Sequence, residues 1–185
     1  SGKFEGFLED IQMDAVRVFR ERMKQSVVQD THTPMGKISM MIPHHVEPSD
    51  ASEQARQIMA SGITLLPYES DFSFVGPEEL DYSIISIDHE RLAELLSHET
   101  YTRLIGFKKS YGIKTAPAFL VNLRQQLSEL IESLKTVTQT ADNAELISKA
   151  TEDKLIQLAL TIYEADDKDN SQLKRLGRQL GFWSA

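Results

Sequence analysis

Between Phe4 and Ile87 the hydrophobic positions alternate in short runs, and turn residues cut each run before it reaches helical length. The runs are "DAVRVFRERM", "GKISMMIPHH", "GITLLPY", "DFSFV" and "LDYSIISID". The breaks fall at Pro34 to Gly36, Pro48 to Asp50, Pro67 to Asp71 and Gly76-Pro77. Short strands at this spacing predict a β barrel or sandwich over residues 4–87. One interruption, "ASEQARQIMASG", is rich in helix formers and reads as an insertion between strands.

After Asp88 the period lengthens. "DHERLAELLSH" opens on a capping-type Asp88 and aligns Leu92, Leu95 and Leu96, which predicts a short helix over 88–98. From Ala118 the apolar residues Leu120, Leu123, Leu127, Leu130, Leu134 and Val137 recur at steps of three and four. That seam predicts a helix over 117–138, with Val121 and Ile131 as a second apolar flank. Either the chain's own domain or a second subunit could cover the seam. The second flank points to a homodimer interface at Leu120, Leu123, Leu127, Leu130 and Leu134. A further helix over 143–165 carries Leu155, Leu158, Ala159 and Ile162 and should pack antiparallel to its predecessor. The expected division is 1–3 as a remnant or tail, 4–87 as the β domain, 88–165 as a helical subdomain and 166–185 as a basic amphipathic tail or linker.

Composition narrows the function. The 185 residues are 41% hydrophobic, enough for a real core. A formal net charge of -8 provides no surface for counterion-release binding, so these residues are not expected to bind DNA. The absence of cysteine removes disulfides, thiolate zinc sites and thiol nucleophiles, and suits a cytoplasmic location. No apolar run approaches the ~20 residues that span a bilayer.

Catalytic signatures are missing. His44 and His45 are adjacent and would point to opposite faces of a strand, and no H-x-H occurs, so no metal or other cofactor is expected. There is no G-x-S-x-G, no P-loop and no G-x-G-x-x-G, and an enzyme is not expected. The conspicuous feature is the crowding of Arg17, Arg20, Arg22 and Lys24 in an acidic chain. Period two places Val16, Val18, Arg20 and Arg22 on one side of a strand, and Arg17, Phe19, Glu21 and Met23 on the other. The arginines are either solvated at a strand end or, as Arg20 or Arg22, grip an anionic effector against an apolar wall that includes Phe74 and Tyr82.

The stretch "FEGFLEDIQMDAVRVFRERMKQSVVQD", then "GKISMMIP", "GITLLPYESDFSFVGPEELDYSIISIDHERL" and the leucine-rich helix pair, resembles the N-terminal half of AraC/XylS-type transcriptional regulators. Gly62, Leu65, Phe72, Pro77, Leu80, Asp81, Tyr82 and Ile87 stand where that family's pattern has comparable residues. The resemblance implies an α+β chain, a cupin-like β barrel or sandwich followed by a helical dimerisation subdomain. It also implies a small-molecule effector, a homodimer, and DNA contact only through a C-terminal helix-turn-helix part that these residues do not include.

Overall fold

The computed structural model describes residues 6–46, 62–76, 79–137 and 144–179, for some of them the backbone only. They form eight strands: β1 (Gly6–Gln12), β2 (Val16–Met23), β3 (Val27–His32), β4 (Lys37–Val46), β5 (Gly62–Leu65), β6 (Asp71–Gly76), β7 (Leu80–Asp88) and β8 (Tyr111–Lys114). Four helices accompany them: α1 (His89–Leu95), α2 (His98–Gly106), α3 (Pro117–Val137) and α4 (Ala144–Gln179). Six strands make an antiparallel sheet in the order β1-β2-β7-β4-β5-β8, and β3 pairs with β6 as a separate ribbon. The chain is α+β, as expected. No closed barrel forms among the described residues, because the six-stranded sheet ends on two unpaired edges, β1 and β8.

The two faces of the central strands do different work. Val16, Ile87 and Ile38 stand in one cross-strand row, and Val18, Ile85 and Met40 in the next. All six are buried, in one core with Leu123, Leu127 and Ile131 of α3 and Leu155, Ala159 and Ile162 of α4. The opposite face carries Phe19, Ile84 and Met41 in register and packs with Phe72 of the ribbon. A sheet covered on both sides explains why β2 has no cleanly apolar face. Each side needs apolar residues, and polar pairs are tolerated only where they find partners.

Several expectations change. The sheet is not confined to 4–87, since β8 returns after α1 and α2 to pair with β5, with Ile113 buried beside Ile63. Gly62 makes that approach possible. Its φ is +85°, and a Cβ there would meet Thr115 Oγ1 at 2.8 Å and Leu120 Cδ2 at 3.0 Å. The single helix expected over 88–98 stops at Leu95, and a second begins after Ser97, whose hydroxyl accepts from the Thr100 amide at 3.2 Å. Asp88 occupies the cap position of α1 without capping it, because its carboxylate is drawn to Lys37. Helix α4 runs to Gln179, into the segment expected as a tail, and residues 166–179 contain no proline and one glycine, Gly177. Within "ASEQARQIMASG", residues 51–61 lie outside the described set.

Candidate functional site

A cavity of about 560 Å³ lies between the sheet and the β3–β6 ribbon. Its sheet wall is made of successive rows from β2, β7 and β4. Arg17 stands beside Ser86, then Phe19 beside Ile84 and Met41, then Glu21 beside Tyr82. The ribbon contributes Gln29, Thr31 and His32 from β3 and Phe72 from β6. The result is an apolar band with a polar group at either end, a common composition for a small-molecule site of this size.

At one end the Tyr82 hydroxyl donates to Glu21 Oε2 at 2.5 Å, and Gln29 Nε2 donates to both Glu21 oxygens at 3.3 and 3.2 Å. Burial, followed by the neighbouring Glu21 carboxylate, pushes the Tyr82 phenol well above its ordinary value, so it remains a donor. At the other end Arg17 is held by both oxygens of Asp10 at 2.8 and 2.6 Å. The His32 ring lies 2.8 Å from Asp71. Ser39 and Ser86 hydroxyls share a buried contact of 2.8 Å beside Arg17's row.

The opposite face of the sheet holds a second polar cluster, under α3. Arg20 makes a bidentate pair with Asp81 at 3.1 and 3.0 Å, and their side chains are only 25% and 11% exposed. The β4–β7 register shifts between Pro43 and His45, where proline has no amide to donate. This irregularity leaves the Pro43 carbonyl to accept from Arg124 Nε of α3 at 2.6 Å, and it aims His44 at the Ser83 hydroxyl, 2.8 Å away. Burial first, then the Arg20 guanidinium, lowers His44 to about 4, with Arg124 adding and Asp81 opposing.

That depression has a consequence for stability. The unfolded chain binds the His44 proton with an ordinary pKa near 6.5, whereas the folded chain resists it until about 4. The contribution is therefore complete above pH 6.5 and is lost as the pH falls toward 4. Allowing for partial solvation, about 2 kcal/mol is at stake. Urea midpoints measured across this range should fall more steeply for the parent than for His44→Asn, and parallel curves would contradict the assignment.

The residues singled out from sequence are thus divided between two sites. Tyr82 lines the cavity. Arg20 is on the helix-facing side, Arg22 shares that side and is exposed, and the side chain of Phe74 lies outside the described set. The cavity arginine is Arg17, together with Glu21 and Gln29, which sequence reasoning did not select. The alternation along β2 had already grouped Arg17 with Phe19 and Glu21, but nothing in it said which group faced a cavity. The leucine seam is covered within the chain. Leu123, Leu127 and Leu134 are buried in the core, and Leu120 and Leu130 are half-buried against it.

No family model matches the chain, and neither does any curated protein or solved structure. Among the described residues, no group of three or more His, Asp or Glu is placed to hold a metal ion. No helix there is long and apolar enough to cross a membrane.

Proposed function

We propose that this chain is the effector-sensing and dimerisation part of a cytoplasmic, AraC-type transcription regulator, a binding domain and not an enzyme. In this reading the sheet and the ribbon are the two walls of a cupin-like sensor, and the helices report its occupancy to whatever adjoins them. The observation that carries the reading is the cavity of about 560 Å³ with an apolar middle and placed polar ends. The packing of α3 and α4 on the back of the same sheet supports it further, because β2 and β7 then have the cavity on one face and the helices on the other. The leucines buried in the chain's own core leave self-association to the outer helix surface. There Leu130 and Leu158 border a groove of about 520 Å³ between α3 and α4. That same groove favours a second reading, an interaction module that docks a protein partner and uses no small molecule.

Native mass spectrometry separates the two. The parent should carry, or take up from a cell extract, a small molecule that is lost from Ile84→Trp, a change that fills the apolar band and leaves the helix-facing core intact. Equal spectra from both proteins, with only protein partners retained, would favour the interaction module.

A further inference from the structure

The charges around the cavity bear on the chemistry of what it binds, and they oppose the anionic effector suggested by the arginine content of β2. Among the described lining residues Arg17 and His32 are the cationic candidates, and both face solvent, with side chains 38% and 47% exposed. Each is already engaged by a carboxylate, Arg17 by Asp10 and His32 by Asp71. Glu21 is in the opposite condition. It accepts from two neutral donors, the Tyr82 hydroxyl and the Gln29 amide, and among the described residues no cation pairs with it. An anionic ligand would have to displace Asp10 from Arg17, and its apolar body would dry a carboxylate of like charge. A cation would supply a charge partner that the described residues do not give Glu21. Phe19, Phe72 and Tyr82 line the same cavity, and an aromatic face attracts positive charge, which acts in the same direction.

We infer that the sheet–ribbon cavity takes an organic cation, an amine or amidine on an apolar body, with its charged nitrogen at Glu21 and its body against Phe19, Phe72 and Ile84. This rests on the reading of the cavity as a small-molecule site. It adds the sign of the ligand's charge and the residue that recognises it. Glu21→Gln preserves the shape and an acceptor oxygen while removing the charge, so it should lower affinity for a cation without closing the cavity.

The test uses three probes of one shape, phenylbutylammonium, phenylbutyrate and phenylbutanol, titrated calorimetrically at neutral pH into the parent, Glu21→Gln and Ile84→Trp. The ammonium should bind the parent about tenfold or more tighter than the other two, the scale of one hydrogen bond to a charged group. Glu21→Gln should erase that preference, and Ile84→Trp should abolish binding. Tighter binding of the carboxylate or the alcohol, still lost in Ile84→Trp, would overturn the cation and leave the small-molecule site standing. No binding of any probe, or binding indifferent to Ile84→Trp, would overturn both. The ranking of the three probes by the parent decides the sign of the charge even if Glu21→Gln proves unstable.

Discussion

Leu127→Ala should cost the fold about 2 to 5 kcal/mol, the range for truncating a fully buried leucine. Leu127 has no exposed surface and sits at the centre of α3, between the helix-facing side of the sheet and α4. Its removal opens a cavity bounded by two elements that cannot both collapse into it. Leu127→Glu should go further and leave the chain unfolded, since a carboxylate there would be buried with no counter-charge in the core cluster. Urea denaturation followed by circular dichroism measures both effects. A folded, monomeric Leu127→Glu protein would mean that this position faces a second subunit, as the second apolar flank of Val121 and Ile131 suggested.

The second large effect is expected at Arg20. Arg20→Ala strands the Asp81 carboxylate, 11% exposed, beside the half-buried His44. Removing one member of a buried pair typically costs roughly 3 to 5 kcal/mol. Because the Arg20 side chain keeps 25% of its exposure, a loss of about 2 to 3 kcal/mol is expected here. Replacing both partners by apolar residues, Arg20→Met with Asp81→Leu, should recover a large part of it, because the desolvation cost of the pair disappears along with its attraction. A double-mutant cycle in urea checks this. Additive losses would show that the pair contributes nothing beyond its separate side chains.

These two sites also show what the sequence could reveal. Alternation along "VRVFRERM" sorted the side chains of β2 correctly into two faces, because a strand's period is fixed by backbone geometry. It could not say which face met helices and which met a cavity. Both mix buried apolar with partly exposed charged residues, and the partner that draws Arg20 to the helix side, Asp81, is 61 residues away in sequence. The spacing of the leucines in α3 identified an amphipathic helix for the same geometric reason. Their cover, β2, β7 and α4, is settled by tertiary packing, which leaves no local mark. The strands β1, β3 and β8 escaped notice for separate reasons. β1 is an edge strand whose acidic "FLEDIQ" lacks a buried face, β3 is half of a two-stranded ribbon, and β8 has only four residues. Glu21 was visible on the correct side of β2, but its importance depends on Gln29 and Tyr82, which the fold brings to it from two other strands.

The most direct measurement of the central claim is methyl NMR on the parent protein during titration with the phenylbutyl probes. Ile84 and Met41 report from the cavity wall, and Leu130 and Leu158 report from the groove between the helices. The account predicts saturable shifts at Ile84 and Met41, largest with the ammonium, while Leu130 and Leu158 shift little. Shifts confined to Leu130 and Leu158, or none at Ile84 and Met41 at saturating probe, would contradict it.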